Sequence, residues 1–145
     1  MSGEVRIERV IDAPREAVFR AWTDPDELRR WWGPGEYVTR HAEVDLRPGG
    51  AYLLVIQAAE GEPMQLAGTF HEVTPPERLV YSWRWVRGWS DPAESIVTVE
   101  FEELGERTRV LLVHGGLEDS PAPDGYRMGW ESGLDKLAAT FTERS

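Results

Sequence analysis

The sequence predicts an α+β domain in which a curved antiparallel sheet of about six to seven strands surrounds a long C-terminal helix. Three features lead to this prediction: two short helices follow the first strand, a run of strands is joined by short turns, and a helical period begins near residue 124. Short turns require antiparallel neighbours, because parallel strands need longer crossover connections. Helices grouped before and after an antiparallel sheet are typical of the α+β class.

A strand and a first helix are predicted at the N-terminus. Residues 4–12 have the composition of a strand, and Pro14 suits the start of a helix. In that helix, the residues spaced to face the core are Val18, Ala21 and Trp22. We therefore expect the first helix to pack on the sheet.

Residues 24–34 carry the signals for both ends of a second, short helix. An aspartate and a proline begin it, and a glycine and a proline end it. Its apolar residues share one face: Leu28, Trp31 and Trp32. Because so short a helix is unstable alone, burial of this face must hold it in place. We expect it to cover something apolar.

The next segment, residues 37–46, alternates between apolar and polar residues. This pattern predicts a half-buried strand with Thr39 on its solvent face. Its predicted core face is formed by Val38, Ala42, Val44 and Leu46.

Five more strands and a closing helix complete the predicted fold. The strands lie between turn sequences, at residues 51–57, 64–73, 79–86, 95–104 and 108–114. From about residue 124, apolar residues recur at helical spacing, at Tyr126, Trp130, Leu134, Leu137 and Phe141.

Length, charge and cysteine content limit the class of protein. The 145 residues fit a single domain, 1–145. The formal net charge of −10 repels phosphate backbones, so we expect no nucleic-acid partner. No segment approaches the roughly 20 apolar residues of a membrane span, and the N-terminus lacks the apolar core of a signal peptide. The absence of cysteine excludes disulfides. Together these features favour a cytoplasmic protein that does not insert into membranes.

The chain contains no catalytic motif that we can identify. It has no nucleophile elbow, no zinc-protease helix and no phosphate-binding loop, and its three histidines do not have metal-ligand spacing. We therefore predict no catalytic residues, no metal and no cofactor. His41 and His71 are expected at the surface, and His114 at the mouth of a cavity.

Aromatic residues are the best candidates for ligand contact. Tyr81, Trp83 and Trp85 alternate, so they lie on one face of one strand. Residues expected to face them are Tyr52, Leu54, Ile56, Phe70, Tyr126 and Trp130. Such a lining suits a flat or apolar molecule, although the same residues would also fill a core without leaving a cavity.

Two glycines on the closing helix allow the same two interpretations. Gly129 and Gly133 lie on or beside its apolar stripe, where each costs roughly 0.8–1 kcal/mol relative to alanine. They permit either close packing of helix on sheet or room for a ligand. The loop around Trp89 is expected either to form a contact surface or to cover the cavity mouth.

The chain resembles the START-like (SRPBCC) superfamily, in the branch of homologues of the ATPase activator of the ninety-kilodalton heat-shock protein. The matching blocks cover nearly the whole chain: Asp-Pro at 24–25, Trp-Trp-Gly-Pro at 31–34, Asp-Leu-Arg-Pro-Gly-Gly at 45–50, Gly-Thr-Phe-His-Glu-Val at 68–73, Pro-Glu-Arg-Leu at 76–79, Val-Thr-Val-Glu-Phe at 97–101, and Gly129-Trp130 with Leu134 and Leu137. The resemblance implies a helix-grip fold with a cavity between sheet and C-terminal helix.

The resemblance also implies a set of functions. The first is binding of a small hydrophobic or aromatic molecule of the lipid, polyketide or flavonoid class. The alternatives are a cyclase- or hydrolase-like enzyme on the same cavity, and a module that assists a chaperone. The ligand-binding residues predicted for the cavity are Trp32, Tyr52, Leu54, Phe70, Tyr81, Trp83, Trp85, Tyr126, Trp130 and Leu134. A homodimer is left open.

Overall fold

A computed structural model describes residues 4–33, 35–87, 94–116 and 123–144. Within these ranges the chain forms seven strands and three helices: β1 (Val5–Ile11), α1 (Arg15–Thr23), α2 (Pro25–Trp31), β2 (Val38–Val44), β3 (Ala51–Gln57), β4 (Met64–Thr74), β5 (Arg78–Arg87), β6 (Ser95–Leu104), β7 (Arg107–Gly115) and α3 (Pro123–Arg144). The predicted bounds of β3 and β6 agree with the structure. Those of β4 differ by one residue at one end, and those of β5 and β7 differ by one residue at both ends.

The strands form one antiparallel sheet in the order β1-β7-β6-β5-β4-β3-β2. Consecutive strands from β2 to β7 are neighbours, and β1 pairs with β7 at the far edge. The sheet curls into a half-barrel around α3, with α1 and α2 following the first strand. The predicted α+β helix-grip fold is therefore confirmed.

The second helix begins and ends where its sequence signals predict. The Asp24 carboxylate accepts the backbone N–H of Asp26 at 2.8 Å, and Pro25 occupies the first turn. After Trp31 the backbone leaves the helical conformation, so Trp32 lies at the C-terminal cap. Leu28, Trp31 and Trp32 are all buried, which confirms the expected apolar face.

The apolar stripe of α3 lies in the core, as predicted. All five of its residues are buried: Tyr126, Trp130, Leu134, Leu137 and Phe141. They pack into the same hydrophobic cluster as the inward-facing residues of the strands. None of the helices in the described part of the chain is long and apolar enough to cross a lipid bilayer.

The predicted core face of β2 was wrong at two of its four residues, Val38 and Leu46. Val38 is 45% exposed and Leu46 is 39% exposed, whereas Thr39 is buried at 5%. The register with β3 shifts between Thr39 and His41, so two successive side chains face solvent and the alternation reverses. Leu46 lies past the end of the strand. The buried Thr39 hydroxyl has a hydrogen-bond partner, because it donates to the Trp32 carbonyl at 2.7 Å.

Gly68 permits a close approach in the middle of the sheet. It pairs with Tyr52 of β3, and a Cβ atom built on it would lie 2.0 Å from the Ser82 carbonyl oxygen. The space it leaves is crossed by the Tyr52 side chain, whose hydroxyl donates to that oxygen at 2.6 Å. Gly68 of β4 therefore leaves room for the hydrogen bond that joins Tyr52 of β3 to Ser82 of β5.

Candidate functional site

A cavity of about 110 Å³ lies between the inner face of β3–β5 and α3, beside the end of α2. Each of these elements contributes to its walls. Its lining residues are Trp31, Trp32, Gly33, Tyr37, Ile56, Met64, Trp83, Trp85, Tyr126, Gly129, Trp130 and Gly133. Of the predicted ligand-contact residues, the structure brings Trp32, Trp83, Trp85, Tyr126 and Trp130 to this cavity.

Indole rings form a large part of the cavity wall, with tryptophan at five of the twelve described lining positions. The Trp83 ring is central, with centroid distances of 5.4 Å to Trp130, 5.7 Å to Trp32 and 5.6 Å to Trp85. These are ordinary spacings for tilted and edge-to-face aromatic pairs. A planar molecule in the cavity would therefore meet ring faces and ring edges.

Two glycines of α3 open the cavity on the helix side. Both Gly129 and Gly133 line it. A Cβ atom built on Gly133 would meet only Cζ3 of Trp31, at an ordinary contact distance of 3.8 Å. Close packing therefore does not require a glycine at position 133. Of the two interpretations that the sequence allows, the structure favours room beside the helix at this position.

Among the described residues that line the cavity, there is no carboxylate, no imidazole and no serine or threonine hydroxyl. Its side-chain polar atoms are indole N–H groups and the hydroxyls of Tyr37 and Tyr126. The lining therefore offers apolar surface and a few hydrogen-bonding groups, and none of its residues has the chemistry of a general base at neutral pH.

Most buried indoles next to the cavity have a protein acceptor for their N–H. The Trp31 N–H donates to the Ala21 carbonyl at 2.9 Å, and the Trp22 N–H donates to the Tyr81 hydroxyl at 3.2 Å. The Trp130 N–H donates to Nδ1 of His114 at 3.0 Å. These bonds fix the orientation of the Trp22, Trp31 and Trp130 rings.

The Trp83 indole differs from these three. Its Nε1 is shielded from solvent and has no acceptor among the described residues. The ring itself is only 5% exposed. A buried donor without a partner is uncommon in folded proteins, so this N–H is a distinctive feature of the cavity wall.

His114 lies behind the cavity wall and not at its mouth, where the sequence placed it. It is fully buried, with ring centroids 4.8 Å from Trp83 and 5.0 Å from Tyr126. Trp130 of α3 packs against this ring and donates its N–H to Nδ1, which keeps His114 beneath the helix. His41 and His71 are exposed, as predicted.

Ser95 and His114 form a close pair that does not have the arrangement of a nucleophile and its base. Nε2 of His114 is 2.7 Å from the Ser95 hydroxyl oxygen, and Nδ1 accepts the Trp130 N–H. An indole nitrogen only donates, so the neutral imidazole carries its proton on Nε2 and donates it to Ser95. A catalytic histidine must accept the serine proton at this atom. The pair instead holds the Trp130 ring in position.

Four predicted contact residues surround a second, smaller void of about 20 Å³: Tyr52, Leu54, Phe70 and Tyr81. Trp32 lines both this void and the larger cavity. A void of this size holds about one water molecule. Leu134, the remaining predicted contact, is fully buried and lines neither space.

The two tyrosines of the smaller void are held in their protonated form. Burial raises the pKa of Tyr52 well above 10.0, with further increases from the charges of Tyr81 and Glu94. Burial likewise raises the pKa of Tyr81, and the hydrogen bond from Trp22 partly opposes this shift. Both phenols therefore act as neutral hydrogen-bonding groups at physiological pH.

Two side chains of α3 connect the helix to the loop between α2 and β2. The Lys136 ammonium donates to the carbonyls of Gly33 at 2.5 Å and Tyr37 at 2.9 Å. The Ser132 hydroxyl accepts the backbone N–H of Gly35 at 2.8 Å. Partial burial lowers the pKa of Lys136. Because Gly33 and Tyr37 line the cavity, these bonds fix one rim of it.

Several lining residues were not among the ligand-binding residues predicted from the sequence. Trp31 shares the buried helical face already identified, and Ile56 shares the face of Tyr52 and Leu54, so both carried a usable signal. Tyr37 and Met64 lie at strand boundaries, where periodicity carries little information. The loop around Trp89 lies outside the described residues. Within the described residues, no group of acidic or histidine side chains is arranged to hold a metal ion.

A curled antiparallel sheet closed by a long helix, with an apolar cavity between them, defines a helix-grip protein, a class that commonly binds ligands in such a cavity. The family described as Activator of Hsp90 ATPase homolog 1-like protein matches residues 12–142. The chain belongs to this family.

Solved structures agree with this assignment. Protein CV1439 from Chromobacterium violaceum is 33% identical, with a TM-score of 0.87 over 95% of this chain and 96% of its own. The AHSA1 protein SPO3351 from Silicibacter pomeroyi is 29% identical, with a TM-score of 0.85 over 98% and 99%. An AHSA1-like protein from Aeromonas hydrophila is 27% identical, with a TM-score of 0.75 over 94% and 93%. No curated protein matches the chain.

Proposed function

We propose that this protein binds a compact hydrophobic or aromatic molecule in the cavity between β3–β5 and α3. The observation that carries the proposal is the cavity itself, which is lined by indole rings and opened by Gly129 and Gly133. Aromatic walls stabilise flat apolar molecules through burial of surface and ring contacts.

The size of the cavity favours a small member of the expected ligand classes. Its volume of about 110 Å³ is below the roughly 300–1,000 Å³ typical of pockets for drug-sized ligands. It is closer to the cavity of about 150 Å³ that accommodates benzene in another protein. A molecule of one or two rings fits this space better than a long acyl chain or a polycyclic polyketide.

The composition of the lining favours binding over chemistry. Catalysis by a cyclase- or hydrolase-like route would require a group that moves a proton or positions water. The lining residues that the structure describes lack a carboxylate and an imidazole, and His114 lies behind the wall with its Nδ1 already occupied. A binding role needs none of these groups.

Native mass spectrometry of the protein purified from its own host tests this proposal. We expect a stoichiometric small molecule that is released on denaturation and can then be identified. A Gly133→Leu variant places a side chain in the cavity and should carry much less of it. Glu131→Leu adds the same side chain to an exposed position on α3 and serves as the matched control. Circular dichroism and thermal melting establish that both variants are folded.

A wild-type protein that carries nothing, and that no compact aromatic compound stabilises in a thermal-shift screen, would contradict the proposal. Equal loading of Gly133→Leu and Glu131→Leu would show that any bound molecule lies elsewhere.

A further inference from the structure

We propose that the molecule bound in this cavity is neutral and carries a hydrogen-bond acceptor, such as a ketone, lactone or quinone oxygen, that receives the N–H of Trp83. This inference rests on the proposed function and specifies the ligand of the same cavity. It comes from one buried polar atom of the cavity wall, Nε1 of Trp83.

Trp83 is positioned to contact a ligand. It lies on β5 in the centre of the wall and touches the rings of Trp32, Trp85 and Trp130. Its Nε1 is buried, and none of the described residues accepts its proton. Trp83 lines the cavity, so a small rotation of its side chain would turn this N–H toward an acceptor placed there.

Two other indoles of the lining show that the fold can satisfy a buried N–H where no ligand is needed. Trp31 donates to a backbone carbonyl, and Trp130 donates to an imidazole nitrogen. Both rings line the same cavity as Trp83. An unsatisfied donor in this setting weakens the free protein, and a ligand that satisfies it recovers that loss on binding.

Water does not take the place of this acceptor. Nε1 is shielded from solvent, and a water molecule beside it would find few further polar partners in the lining. Because of the same shielding, we expect binding to include a small rotation of the Trp83 side chain or a shift of a neighbour. A carbonyl on a ring that packs against the indoles needs no second polar partner.

The charge of the ligand follows from the lining. Among the described residues that form the cavity, none is cationic or anionic, so a bound carboxylate or ammonium would lose its hydration without gaining a partner of opposite charge. The formal net charge of −10 also disfavours anions at the surface. A neutral acceptor avoids both costs.

Two probes of nearly equal shape test the inference. Acetophenone carries a carbonyl oxygen, and α-methylstyrene carries a CH₂ group in the same place. Both are titrated into the wild-type protein and into a variant in which Trp83 is replaced by benzothienylalanine, which exchanges the N–H for sulfur and keeps the ring size. The same replacement at Trp22, which does not line the cavity and whose N–H already donates to the Tyr81 hydroxyl, is the matched control.

We expect the replacement at Trp83 to weaken acetophenone about tenfold and to change α-methylstyrene by less than about twofold. The control replacement should change neither Kd by more than about twofold. In spectra of the ¹⁵N-labelled wild-type protein, acetophenone should move the Trp83 indole proton downfield, and α-methylstyrene should not. Benzoate, which adds a charge to the same ring, should not bind detectably.

The outcomes separate this inference from the proposed function. Equal effects of the Trp83 replacement on both probes would contradict the hydrogen bond from Trp83 to the ligand. The cavity would still stand as a binding site. Binding of benzoate as tight as that of acetophenone would overturn the neutral ligand. Failure of both neutral probes to bind the wild-type protein would overturn the inference together with the proposed function.

Discussion

Gly68 lies in β4 at the point where the Tyr52 side chain crosses to the Ser82 carbonyl. Its substitution by alanine would place a methyl group 2.0 Å from that backbone oxygen, which cannot move without disturbing β5. We expect Gly68→Ala to lower the free energy of unfolding by about 3 kcal/mol. Gly61→Ala is the control, because its Cβ would meet only Ala58 at 3.9 Å. Urea denaturation of both variants measures the difference, and equal midpoints would contradict the account of Gly68.

The buried hydroxyl of Tyr52 predicts a loss of stability at alkaline pH. Burial raises the pKa of this phenol in the folded state, whereas in the unfolded chain it titrates near 10. The folded protein therefore holds more protons than the unfolded chain above this pH. The stabilisation is complete below about pH 10 and is lost as the pH rises further.

Tyr52→Phe tests this prediction, because the variant cannot titrate at this position. At about pH 8 we expect it to be less stable than the wild type by about 1 kcal/mol, through loss of the bond to Ser82. Between about pH 10 and 11 this difference should shrink. Unfolding by urea at each pH measures it, and a difference that stays constant would show that Tyr52 does not contribute to the pH dependence.

At the scale of elements, a substitution at Gly133 of α3 should have opposite effects on the stability of the protein and on its affinity for a ligand. A methyl group at this position meets no clash and raises helix propensity, so Gly133→Ala should stabilise the protein by about 0.5–1 kcal/mol. The same methyl group enters the cavity and should weaken acetophenone about threefold. Thermal melting and calorimetric titration measure the two effects. A more stable variant with unchanged affinity would show that the ligand does not use this space.

Lys136 connects α3 to the loop that forms one rim of the cavity. It is the only lysine in the sequence, and its ammonium holds two carbonyls of lining residues. We expect Lys136→Met to release this rim and to accelerate both binding and dissociation of acetophenone about threefold or more. Stopped-flow tryptophan fluorescence measures the rates. Unchanged rates in a folded variant would show that ligand access does not depend on this rim.

At the scale of the whole molecule, the pattern along each element was enough to predict the fold. The alternation around Trp83 and the helical spacing from Tyr126 to Phe141 are properties of single elements, and both were visible in the sequence. The register shift after Thr39 was not, because a bulge is fixed by the partner strand and leaves no periodic signal.

The site was predictable only in part, because it depends on how far the sheet curves. Tyr52 and Trp83 lie on the same inner face, yet the curvature places one beside a small void and the other in the wall of the cavity. Neither the separation of the two spaces nor the burial of His114 under α3 can be read from the spacing of residues in neighbouring strands. The unsatisfied N–H of Trp83 likewise emerges only from three-dimensional packing.

The central claim is that the space between the sheet and α3 receives a compact neutral molecule. A crystal structure of the protein soaked with acetophenone tests it most directly. The account predicts difference density for one planar ring beside Trp83, Trp130 and Gly133, with the carbonyl oxygen within hydrogen-bonding distance of the Trp83 nitrogen. Density that appears only outside this cavity, or indole rings that have closed together and left no space, would contradict it.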